Sequence, residues 1–247
     1  MKLELWEQDM IEFMGRASEY GDYNRRLTEK MLPWLHGDTH ICDAGSGLGY
    51  LSLALSPHVG RVTAVERNPD AAAVLSANCI RFGISNVVSR WGAIAEVPPE
   101  TPYDAMVFCF FGSIQEILML AKRQCRGDAF VFTRNYDTHR FSAGTHPTGY
   151  RGYPQFTAAL AGLGIPVHAE TFTLEFGQPF RDLQEAHRFF RLYSKDPNKA
   201  VLTPSFIRSQ LVQTGRADFP LYLPHQKHIG FLHFSAGDIP DTVLEGE

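Results

Sequence analysis

An α/β fold built on a doubly wound, mostly parallel sheet is what this sequence of 247 residues predicts, and three observations predict it. From His40 to Arg134, short apolar and β-branched runs alternate with amphipathic runs of helical spacing, the pattern of successive βαβ units. Between the first such strand and its helix stands "DAGSGLGY", with alternating glycines at Gly45, Gly47 and Gly49. An acid closes each of the first two strands, Asp43 and Glu66. Ligands of such sheets bind beyond the carboxyl ends of the strands, near the switch in strand order.

The elements follow in order. Leu3, Trp6, Met10, Phe13 and Met14 recur at near-helical spacing over residues 3–14, an amphipathic helix. Tyr23, Leu27, Met31 and Leu35 mark a second helix, which Pro33 ends or kinks. Next come a strand at 40–45, a helix at 50–57 closed by Pro57, and a β-branched strand at 61–66. A helix over 68–83 stops at Gly83, and strands at 86–91 and 103–111 precede a helix over 113–125 and a fifth strand at 128–134. After Arg134 the rhythm breaks: residues 135–153 are polar, rich in Gly and aromatics, and too long for an ordinary connection. A helix (154–164), a strand (167–176), two helices (182–194 and 204–215) and a final strand (228–236) complete the pattern.

Composition narrows the function. Hydrophobic residues at 44% and charged residues at 20% suit a soluble globular protein with a substantial core. The net charge is −4 and no run of five Lys/Arg occurs, so a small-molecule substrate is expected and nucleic acid is not. No segment approaches the ~18 consecutive apolar residues of a membrane span, and acids interrupt the N-terminus where a signal peptide is apolar. A cytoplasmic protein is expected, of open oligomeric state. Cys42, Cys79, Cys109 and Cys125 occur singly and read as reduced small hydrophobes. His225 and His228 have no third ligand in sequence, and no metal site is expected.

The glycine turn selects a ligand. Glycine takes positive φ and lets a ligand approach the main chain. The dinucleotide fingerprint G-x-G-x-x-G/A asks for Gly or Ala where Tyr50 stands, which disfavours a nicotinamide oxidoreductase. The triphosphate loop G-x-x-x-x-G-K-[ST] is absent, and no Lys or Arg stands in or just after the turn. An uncharged cradle with acids at both ends suits a ligand that is cationic at sulfur and carries an amine. These features point to S-adenosylmethionine.

The stretches "CDAGSGLGYLSLALSP", "VTAVERNPDAA" and "YDAMVFCFF" resemble the class I S-adenosylmethionine-dependent methyltransferases over residues 38–134, and weakly in the last two strands. The resemblance implies a Rossmann-like methyltransferase fold: a seven-stranded sheet, six strands parallel and one antiparallel, with S-adenosylmethionine across the first four strands and S-adenosylhomocysteine as product. Ala44, Gly45, Ser46, Gly47 and Gly49 would border the methionine moiety and ribose, Asp43 the methionine end, and Glu66 the ribose hydroxyls. Arg67 and Asn68 would lie near adenine. Many members carry an acid there after the third strand; here a backbone contact from Gly92–Ala93 is expected instead. The fourth strand ends "CFFGS" in place of [ND]-P-P-[YF], which disfavours nucleobase and glutamine amino-methylation. Phe110 and Phe111 are expected to wall the pocket, and Tyr20 or Tyr23 to reach the methionine part from a helical lid.

The resemblance divides the chain into a lid (1–37), a methyltransferase domain (38–237) with substrate-side insertions near 135–153 and 178–224, and a loose tail (238–247). Methyl transfer from a sulfonium is an in-line displacement governed by positioning and dryness, and a base is needed only when the acceptor must lose a proton. Beside Asp137, Tyr136 and His139 at the rim after the fifth strand are the catalytic candidates. The function expected is methyl transfer to a small-molecule acceptor; the alternative is a non-catalytic cofactor-binding module serving a partner protein.

Overall fold

The computed structural model describes residues 8–147 and 152–244. Helices α1 (Gln8–Tyr20) and α2 (Tyr23–Met31) lead into β1 (His40–Ala44), α3 (Tyr50–Leu55), β2 (Arg61–Glu66), α4 (Pro69–Arg81) and β3 (Val87–Trp91). Then come β4 (Tyr103–Cys109), α5 (Ile114–Gln124), β5 (Cys125–Arg134), α6 (Gly152–Gly162) and β6 (His168–Glu175). The remainder is β7 (Gln178–Phe180), α7 (Leu183–Tyr193), α8 (Pro204–Ser209), β8 (Val212–Gln213), β9 (Leu221–Leu223) and β10 (Gln226–Ser235).

Seven strands form one sheet in the order β3-β2-β1-β4-β5-β10-β6. β10 runs antiparallel to both of its neighbours, β5 and β6, and the other pairings are parallel, so the expected sheet of six parallel strands and one antiparallel is present. The order reverses at β1 and β4, and the glycine turn stands at that switch. Alternation along the strands sends side chains to two cores. Met106, Phe108, Ala129 and Val131 pack with α5 and α6; Ala105, Val107, Phe130 and Phe132 pack with α2, α3 and α4.

Local chemistry fixes the helix starts. Asn68 accepts from the N–H groups of Asp70 and Ala71, with Pro69 preset in the first turn. Ser113 and Asp182 cap α5 and α7 in the same way, through Glu116 N and Glu185 N.

The N- and C-terminal regions differ from the expectation. The first helix runs on to Tyr20, and the part of it predicted over residues 3–7, with Leu3 and Trp6, lies outside the described residues, as do residues 148–151 of the insert. The helix expected over 204–215 ends at Ser209, because Val212–Gln213 pairs with β9 instead and Gly215 turns at φ +73°. With β7, these strands make a second, antiparallel sheet, β7-β9-β8. The tail is not loose through Leu244: Ile239 is buried, its carbonyl accepts from Lys122 Nζ at 2.8 Å, and Asp241 pairs with the same ammonium at 2.9 Å.

Candidate functional site

At the end of β1 the chain turns through three positive-φ glycines, Gly45 (φ +71°), Gly47 (φ +54°) and Gly49 (φ +79°). A methyl group on Gly45 would overlap the Phe111 ring, and one on Gly49 would overlap Leu75. Glycine is therefore required here by conformation and by space. Gly45 N and Ser46 N both donate to Val65 O, at 2.9 and 3.0 Å, which fastens the turn to β2. Ser46 Oγ is buried with no hydrogen-bond partner. Ala44 is wholly buried between β2 and β4, so it positions the turn and its methyl lines only the core.

Glu66 clasps this turn from the end of β2. One carboxylate oxygen accepts from Gly47 N and the other from Asn68 N, each at 2.8 Å. Asp43, one layer below, accepts from Ser52 Oγ of α3 at 2.6 Å and is 1% exposed. Burial pushes its carboxyl up to about 6; the Ser52 hydroxyl opposes the shift and the Glu66 charge adds to it. Asp43 thus ties strand to helix beneath the turn.

The residues expected near adenine follow β2 and β3. Arg67 O accepts from Trp91 Nε1 at 3.0 Å. Gly92, at φ +144°, donates its N–H to Glu66 O at 3.0 Å, and Ala93 O accepts from Glu96 N and Val97 N.

Phe110 and Phe111 divide the work that the sequence assigns to them jointly. Phe111 covers Gly45. Phe110, the non-glycine residue at φ +53°, turns its ring to the opposite face, where Lys227 Nζ lies 3.7 Å from the ring centroid. Both phenylalanines, with Gly112, Thr133 and Arg134, line a cleft of about 250 Å³ at the ends of β4 and β5.

The N-terminal helices are held by residues outside the expected set. Tyr50 donates its hydroxyl to Glu19 Oε1 at 2.8 Å, and Arg81 Nη1 reaches the same oxygen at 2.6 Å, so α1, α3 and α4 meet at one carboxylate. Tyr20 stacks on Tyr222 (ring centroids 5.2 Å apart) and receives Arg216 over its face, which carries it onto the small sheet. Tyr23 is buried against Phe176 at 4.3 Å, and its hydroxyl has no partner. The Phe13 ring joins Phe180 and Phe189 and makes α1 part of the same layer as the insertion.

The two catalytic candidates part company. Tyr136 is half-buried beside Tyr23 and Arg134, and burial pushes its phenol up. His139 is engaged within the insert: Nδ1 bonds Ser142 Oγ at 3.1 Å, and its N–H donates to His146 O at 2.8 Å. Burial and nearby cations hold its imidazole below the usual value, in the neutral form. That insert is fastened by buried Asp196, which accepts from Ala143 N, Gly144 N, His146 Nε2 and Ser194 Oγ. His225 and His228 do not converge: His228 Nδ1 bonds Thr173 Oγ1, whereas burial drives His225 down to about 4.

Lys227, Asp196 and Phe176 were missed in the sequence. A lone Lys in "HQKH" and a lone Asp in "SKDP" carry no periodic or motif signal, and only the packing of β6, β10 and the insert gives them partners.

No protein-family model matches the chain. The 23S rRNA (uracil(1939)-C(5))-methyltransferase RlmD of Chromohalobacter salexigens is 33% identical over 81 residues, which are 32% of this chain and 17% of that relative. This chain therefore spans a small part of the curated protein it matches. Among solved structures, YcgJ from Bacillus subtilis aligns with a TM-score of 0.56 at 14% identity, covering 87% of this chain and 98% of its own. Precorrin-6y C5,15-methyltransferase from Geobacter metallireducens aligns with a TM-score of 0.52 at 15% identity, covering 85% and 87%. The fold is the Rossmann-like fold of the class I S-adenosylmethionine-dependent methyltransferases.

The RlmD match corrects one expectation. A relative of this chain acts on RNA, so net charge does not exclude a nucleic-acid partner. The physical reason is that net charge averages over the whole surface; a chain of −4 still places Arg134 in the cleft, with Lys227 close to Arg134 and Arg140 close to His225.

Proposed function

We propose that the protein transfers a methyl group from S-adenosylmethionine to a small-molecule acceptor bound at the ends of β4 and β5. The observation that carries this reading is the clasp of Glu66 on Gly47 N within a turn of three positive-φ glycines, at the switch point of the sheet.

The residues present fit the donor. Ser46 Oγ is a buried polar atom without a partner beside the turn of three positive-φ glycines. Glu66 keeps acceptor lone pairs beyond its two N–H bonds, as a carboxylate has about four, and they would take the ribose hydroxyls. When bound, S-adenosylmethionine supplies an electrophilic methyl group on a sulfonium. The chain would supply position and dryness: Phe111 covers Gly45, and Phe110 and Phe111 wall the cleft. Tyr136 is the candidate to receive or hold a proton at its hydroxyl. The RlmD match favours a second reading, in which the acceptor is an RNA nucleotide.

Calorimetry with S-adenosylhomocysteine and with NAD tests the donor; binding of NAD alone would sink the reading. Donor turnover against separate panels of small molecules and RNA then assigns the acceptor. Tight donor binding without turnover on either panel would favour a non-catalytic module.

A further inference from the structure

Lys227 stands in β10 with its ammonium inside an aromatic box. Nζ lies 3.7 Å from the Phe110 ring centroid, 5.2 Å from that of Tyr23 and 5.3 Å from that of Phe176. The titratable groups that face it are the Cys109 thiol, the Arg134 guanidinium, the His225 imidazole and the Tyr23 phenol; no carboxylate among the described residues pairs with it. Cation–π contact offsets part of the cost of burying a charge, but an ammonium without a counter-ion remains expensive. Burial and Arg134 together draw its pKa down to about 8.

Tyr23 supplies an independent sign. Its side chain is 4% exposed, and its hydroxyl has no hydrogen-bond partner. Burial, with Cys109 and Tyr136 nearby, drives that phenol well up, so it stays a donor. A buried hydroxyl and a half-buried ammonium therefore line one box, and neither has an acceptor among the described residues. An anionic oxygen answers both.

Place in the sheet distinguishes the source of that oxygen. The order β1-β4-β5-β10 sets Lys227 three strands from the glycine turn, about 14 Å at the usual strand spacing. Phe110 is shared: one face meets Lys227, and the residue lines the cleft with Phe111 and Arg134. We propose that Lys227 and Tyr23 form the recognition site for an anionic oxygen on the acceptor, a flat ring carrying a carboxylate or phenolate. This rests on the donor reading only for its name as the acceptor site.

The test uses the full chain labelled with 13Cε-lysine. Lys227 is the resonance lost in Lys227→Met, or in Lys227→Arg should the first variant fail to fold. Benzoate is expected to raise its titration midpoint by about one pH unit, a tenfold preference for the charged form, and neutral benzyl alcohol to leave it in place. Tyr23→Phe should weaken benzoate binding several-fold. The proposal is overturned if benzoate leaves the midpoint unchanged, or if inorganic phosphate shifts it and benzoate does not. It is overturned equally if S-adenosylhomocysteine alone produces the shift, which would give the pair to the donor. Failure of S-adenosylhomocysteine to bind wild type would reject the donor reading while leaving the benzoate result interpretable.

Discussion

At the scale of single residues, two carboxylates sit close together and do different work. Glu66 holds the turn through Gly47 N and Asn68 N. Glu66→Ala removes both bonds and should weaken S-adenosylhomocysteine binding by about 1–3 kcal/mol, measured by calorimetry; an unchanged dissociation constant would refute the assignment. Asp43 is buried on Ser52, with a pKa raised from 3.8 to about 6. A raised carboxyl binds its proton more tightly when folded than unfolded, so stability from this group falls as pH rises between those two values. Relative to Asp43→Asn, wild type should lose about 2 kcal/mol between pH 4 and pH 7, read from thermal unfolding across that range. A difference between the two proteins that does not vary with pH would show that Asp43 is not the group responsible.

At the scale of elements, α1 is fixed by a junction more than by its own helix propensity. Tyr50, Glu19 and Arg81 join α3, α1 and α4 through one carboxylate. Tyr50→Phe keeps the ring and removes the bond, and should cost about 1 kcal/mol. The loss should appear in hydrogen exchange as faster opening of α1 over residues 8–20, with β1 and β4 unaffected. Equal loss of protection throughout the sheet would mean that α1 is not a separate opening unit. In the sequence, Tyr50 was legible only as a residue that breaks the dinucleotide fingerprint; its partner Glu19 lies a helix away, beyond any local pattern.

At the scale of the whole molecule, segments far apart in the chain share one apolar layer. The Phe13, Phe180, Phe189 and Ile207 cluster merges α1 with the insertion after β6. Asp196 fastens the 135–147 segment to the end of α7 by four hydrogen bonds, which hold its carboxyl well below the usual range. Asp196→Ala should make the segment sensitive to limited proteolysis while leaving S-adenosylhomocysteine affinity within about twofold, because the donor contacts proposed above lie on β1 and β2. A large loss of donor affinity would show that the insert helps to form the donor site.

The sequence by itself determined the parallel sheet, the glycine turn and its two acids, because these rest on local rules: periodicity, positive φ and strand ends. Only the tertiary structure decided the small sheet, the packed tail, the separate roles of Phe110 and Phe111, and the exposure of an unpaired need at Lys227 and Tyr23. Strand β10 meets β6 and β5 across long stretches of chain, and a charge is known to be unanswered only when every neighbour from those stretches is in place. The donor side is written in consecutive residues; the acceptor side exists only once distant segments have packed together.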